Sequence, residues 1–98
     1  MTDDSPDNPV VIPITGELDL HTFRPADAAS LVETYLAECR RRGLRRVRII
    51  HGKGTGALRE TVHARLRTLP GVVGFVLGDE HSGGWGATLV TLAPGDSR

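Results

Sequence analysis

The sequence predicts an α/β domain, an α+β two-layer sandwich with element order β-α-β-α-β-β. Two helices are expected to cover one face of a mixed four-stranded sheet whose last strand is antiparallel. Three observations carry this expectation. Short β-prone apolar runs alternate with two longer runs at helical spacing. Glycine or proline stands at the junctions between them. The 98 residues are enough for one modest core and no more.

Residues 1–15 read as a disordered or extended arm, because "MTDDSPDNP" is acidic and proline-broken. "VVIPI" is β-prone, but Pro13 excludes a central strand. "ELDLH" alternates, with Leu18 and Leu20 on one side and Glu17, Asp19 and His21 on the other. "FRPADAASLVETYLAECRRRG" reads as a helix. Pro25 suits its first turn, Ala28, Leu31, Val32, Tyr35, Leu36 and Cys39 form an apolar stripe, and Gly43 ends it. "LRRVRIIH" is the second strand, with Val47, Ile49 and His51 on one face and Arg46, Arg48 and Ile50 on the other. Leu58, Val62, Leu66 and Leu69 mark a second helix, stopped by Pro70-Gly71. "VVGFVL" and "WGATLVTL" are strands three and four, and residues 94–98 form a tail. The folded part is therefore 16–93. Right-handed crossovers with strands stepping in one direction would place both helices on the same face.

Composition narrows the function classes. Hydrophobic residues make up 39% of the chain and aromatics 4%, so the core is built from Val, Leu, Ile and Ala. A single cysteine, Cys39, excludes an intrachain disulfide and reads as buried filler. No His/Cys spacing suits structural zinc. No run is long and apolar enough to span a bilayer, and the acidic start is unlike a secretory signal. A cytoplasmic location without membrane contact is expected. Net charge is zero, yet Arg40 to Arg67 holds ten basic residues against Glu60 alone, a balance of +9. Such a segment fits a polyanionic partner or a solvated arginine-rich face.

The stretch "RIIHGKGTG" lies inside that segment. A β-like run ends in His51, and Gly52-Lys53-Gly54-Thr55-Gly56 opens the second helix. Backbone amides, glycine freedom and the helix dipole favour an anion there. Lys53 falls too early for a Walker A loop, and the chain is too short for a full dinucleotide-binding fold. A nucleic-acid phosphate fits better. His21 ends the first strand and His51 the second. In open α/β sheets ligands bind at those carboxyl ends.

The motifs "LDLH", "HGKGTGALR" and "GGWGATLV" together closely resemble the Smr (small MutS-related) domain family, from about Glu17 to Leu92. The chain is identified as a stand-alone, single-domain member. The resemblance implies a fold like the C-terminal domain of translation initiation factor three. It also implies nucleic-acid binding, often with endonuclease activity that nicks DNA or cuts RNA. Some members are attached to MutS-like ATPases linked to recombination control or to collided ribosomes. The first motif falls on Leu18 to His21, the second on His51 to Gly56, and the third on Gly83, Gly84, Gly86, Ala87 and Thr88. Thr22 stands where the family usually has glycine, which is expected to narrow the site.

The expected function is binding of DNA or RNA with cleavage of a phosphodiester. The alternative is a non-catalytic nucleic-acid or ribosome-binding module. Asp19, His21 and His51 are the candidate catalytic residues, with one histidine as base and the other as acid. Asp19 would orient an imidazole or hold a divalent cation such as Mg²⁺ or Mn²⁺; nothing else points to a cofactor or metal. Gly52, Lys53, Gly54, Thr55 and Gly56 would bind phosphate. Arg48, Arg59 and Trp85 are candidate nucleic-acid contacts. Arg48 would neutralise phosphate or pair with Asp19, and Trp85 would stack on a base or cover the core. His63 is expected in solvent, and His81 in a loop before the last strand.

Overall fold

Alternation in the first two strands decides which side of the sheet is covered. The computed structural model describes residues 14–52, 56–78 and 86–94. Its elements are β1 (Glu17–Asp19), α1 (Pro25–Arg41), β2 (Arg46–Ile50), α2 (Ala57–Thr68), β3 (Val72–Leu77) and β4 (Ala87–Leu92). Leu18, Leu20, Val47, Ile49, Val90 and Leu92 point from the sheet into one core. Ala28, Val32, Leu36 and Cys39 of α1 and Val62 and Leu66 of α2 meet them there. The opposite sheet face carries Arg46, Arg48, Val76, Leu89 and Thr91 around an open depression. Two layers with one uncovered sheet face result, as the residue pattern implies.

The two parallel crossovers step in one direction, from β1 to β2 to β3, and β4 is inserted between β2 and β3, so the order is β1-β2-β4-β3. β1 and β2 are parallel, with Leu18 opposite Ile49, and β4 is antiparallel to both β2 and β3. Side-chain character explains the insertion. β4 is buried along most of its length, which suits a central strand. β3 exposes Val73 and Val76 and has a register shift between Val72 and Gly74, features tolerated at an edge.

Local chemistry fixes the ends. Pro25 opens α1, and Asp27 lies in its first turn. Gly43 takes φ +84° after the last turn. Its amide reaches Arg40 O at 3.0 Å and the Leu44 amide reaches Cys39 O at 2.9 Å, a Schellman stop. Tyr35 is buried but uses its hydroxyl. It donates to Glu17 O at 3.2 Å and accepts from the Gly16 amide at 3.1 Å, anchoring the start of β1 to α1. Cys39 is fully buried, and burial pushes its thiol pKa up, as a filler residue should behave. Ile14 packs against the core, whereas residues 1–13 of the expected arm and 95–98 of the expected tail lie outside the described residues.

Candidate functional site

At the carboxyl end of β1 the strand parity carries Asp19 and His21 to the side away from the helices. The Leu20 amide still donates to Ile50 O at 2.7 Å, so this short strand end is held in line. Asp19 Oδ1 accepts the His21 amide at 3.0 Å and the His21 ring Nδ1 at 2.6 Å. The first of these bonds, then the second, lowers the Asp19 pKa below its ordinary value. An ionised carboxylate can only accept, so Nδ1 carries the proton of the neutral ring. His21 Nε2 is then the basic nitrogen. Both side chains are more than half exposed, at 59% for His21 and 52% for Asp19. Thr22 enters the following turn without strain, since no described non-glycine residue has positive φ.

His51 continues the buried side of β2 and is only 3% exposed. Its amide and that of Gly52 both donate to Gly86 O at 2.9 Å. Its ring Nδ1 lies 3.1 Å from Gly52 O, and its Nε2 lies 2.8 Å from Thr88 Oγ1. Thr88, fully buried, receives a second ring: His63 Nε2 lies 2.7 Å from the same hydroxyl. Proton accounting fixes the direction of the chain. Gly52 O is an acceptor, so His51 Nδ1 donates and its Nε2 accepts from the Thr88 hydroxyl. Thr88 Oγ1 in turn accepts from His63 Nε2–H. Burial is the main cause that lowers the pKa of both rings, disfavouring their charged forms. For His51 the bond to Gly52 O opposes this and Arg59 adds to it. For His63 the His51 ring, Arg67 and Arg59 add to it.

Gly52 joins the two halves. Its φ is +85°, and a Cβ placed there would lie 3.5 Å from His21 Cβ. The Asp19–His21 pair therefore sits directly against Gly52, and the His51–Thr88–His63 chain holds Gly52 from behind.

Three comparisons bear on this arrangement. The family model described as "Smr domain" matches residues 18–93. The chain belongs to the Smr domain family. An Endonuclease MutS2 from Pelotomaculum thermopropionicum is 45% identical over 80 residues, covering 82% of this chain and 10% of that protein. One from Geobacillus kaustophilus is 46% identical over 76 residues, again with 10% of that protein covered. This Smr domain thus spans about a tenth of the curated relatives it matches. In structure it is similar to the Smr domain of Thermus thermophilus MutS2. The TM-score is 0.78 at 40% identity, covering 82% of this chain and all of that one. It is also similar to YdaL, a stand-alone small MutS-related protein from Escherichia coli. There the TM-score is 0.75 at 28% identity, covering 80% of this chain and 64% of that one.

Within the Smr domain, the three sequence motifs meet in space for a physical reason. Gly86 and Thr88 of the third clamp His51 and Gly52 of the second, and Gly52 abuts His21 of the first. Asp19 and His21 come together as the sequence implies. His51 lies beside them but turns inward, with both ring nitrogens engaged. His63 is the clear correction. It is half-buried on Thr88 and packs at a tilt against Phe75, 4.9 Å between ring centroids, rather than lying in solvent. Its position, one residue after Val62 and three before Leu66, is at the border of the apolar stripe, and that border was the available signal.

The basic segment divides on inspection. Arg41 and Arg42 pair with Glu38, and Arg65 with Glu33. Arg40 donates to Ala93 O and Pro94 O, and Arg45 to Leu92 O. Arg48 pairs across the parallel strands with Glu17, its register partner, on the open sheet face. Arg59 lies beside Gly56, and among the described residues its carboxylate contact is a long 3.9 Å one to Glu60. Lys53, Gly54, Thr55, His81 and Trp85 lie outside the described residues. Among the described residues no group of three His, Cys, Asp or Glu side chains gathers to hold a metal ion. Nor is any described helix long and apolar enough to cross a membrane.

Proposed function

We propose that this Smr domain binds DNA or RNA at the carboxyl ends of β1 and β2 and cleaves a phosphodiester there. The observation that carries the proposal is the exposed Asp19–His21 pair, 2.6 Å apart and packed against Gly52. Asp19 fixes the His21 tautomer, so Nε2 takes a proton from the attacking oxygen, either water or a ribose hydroxyl. As that oxygen bonds to phosphorus, the bond to the leaving oxygen breaks and that oxygen takes a proton from water. The glycine loop, with Lys53, supplies positive charge for the phosphoryl oxygens. His51, with both nitrogens committed inside, acts by holding Gly52 in place. A divalent cation, with Asp19 as its protein ligand, would add charge neutralisation at the phosphate. The resemblance to proteins named Endonuclease MutS2 supports the same chemistry.

The test uses supercoiled plasmid and structured RNA, each with Mg²⁺, Mn²⁺ or a chelator. Wild type is expected to cut at least one substrate, Asp19→Ala to lose cleavage while still binding, and His51→Ala to lose both. Binding without cleavage in every condition would leave the non-catalytic nucleic-acid or ribosome-binding module as the function.

A further inference from the structure

We propose that the bound strand leaves the glycine loop along one flank of α2, over Arg59, His63 and Arg67 and beside Phe75 of β3. This deepens the proposed function, on which it rests, by giving the strand a direction and a distal contact.

The three side chains are spaced i, i+4, i+8 and so form a single stripe. Val62 and Leu66 face the core, and Arg65 turns to the other flank, where it meets Glu33 of α1. The stripe is unbroken by acid, because Glu60, in the first turn, is the sole carboxylate on α2. Its members sense one another electrostatically, since Arg59 and Arg67 both lower the His63 pKa.

Arg67 is the distinctive element. Its guanidinium lies over the Phe75 ring, 5.9 Å from the centroid, and pairs with no carboxylate among the described residues. A cation–π contact positions the guanidinium without neutralising it, which leaves its donors for a phosphate. Phe75 is itself held by His63, which Thr88 ties to His51 and so to the loop. Arg59 and Arg67 are separated by about 12 Å along the helix axis. That matches roughly three to four stacked nucleotides at about 3.4 Å each. Arg41 and Arg42 lack this character, since Glu38 takes both.

Fluorescence anisotropy with a labelled single-stranded trinucleotide and dodecamer, in DNA and RNA forms, tests the path. Variants are Arg67→Gln, Arg67→Lys and, as a charge control, Arg41→Gln, each checked for an unchanged melting temperature. Arg67→Gln is expected to weaken the dodecamer about three- to tenfold and to reduce its salt slope by about 0.7, while trinucleotide affinity stays the same. Arg67→Lys retains most of the affinity, and Arg41→Gln changes neither length. Equal losses from Arg67→Gln and Arg41→Gln, or an unaltered dodecamer with Arg67→Gln, would overturn the path while leaving nucleic-acid binding intact. A wild type that binds no oligonucleotide would overturn both.

Discussion

Two histidines converge on one hydroxyl at Thr88, and that residue carries the most stringent local demands. Thr88→Val keeps the shape but leaves the buried His51 Nε2 without its donor. The expected loss is about 1–3 kcal/mol, read by denaturant unfolding. The same chain sets a pH dependence. His51 and His63 have folded pKa values below the ordinary 6.5, so below that pH the unfolded chain binds more protons than the folded one. Stability is therefore complete above about 6.5 and falls as pH drops through the lower folded values. Melting temperature should decline between pH 7.5 and 5, with a shallower slope in His63→Gln. An unchanged slope in that variant would remove His63 from the buried chain. Strand parity was enough to place Asp19, His21 and His51 from the sequence. It did not give the inward turn of His51, because that depends on Thr88, 37 residues away.

Among the elements, helices and strand spans were legible because their apolar spacing is regular. The order of strands was less so. Periodicity marks β4 as a strand but does not say which neighbours it takes, and its burial, with the bulge and exposed valines of β3, decides that. One contact between elements gives a sharp test. A Cβ on Gly71 would lie 2.6–2.8 Å from the Arg40 side chain, which holds Ala93 O and Pro94 O. Gly71→Ala should displace Arg40 and cost about 1–2 kcal/mol, the scale of its lost hydrogen bonds. Arg40→Ala combined with Gly71→Ala should then cost little more than Arg40→Ala alone, measured by a double-mutant cycle. Additive losses would mean that the two residues do not share this contact.

Across the whole molecule, a net charge of zero conceals an uneven distribution of work. The +9 segment looked in sequence like one footprint. In the fold much of it braces α1, β2 and β4, while among the described residues Arg67 pairs with no carboxylate and Arg59 only at 3.9 Å with Glu60. Linear charge counting cannot separate these uses, because an arginine's partner is set by tertiary contact. The family resemblance was legible because its motifs are the residues that meet around Gly52. In the proposed mechanism His21 moves a proton rather than gripping the substrate. The most direct test of that role compares His21→Ala with wild type on one cleavable oligonucleotide, measuring affinity and single-turnover rate together. His21→Ala is expected to keep affinity within about twofold and to lower the rate by about 10²–10⁴. Equal losses in affinity and rate, or a rate that survives the substitution, would contradict that role.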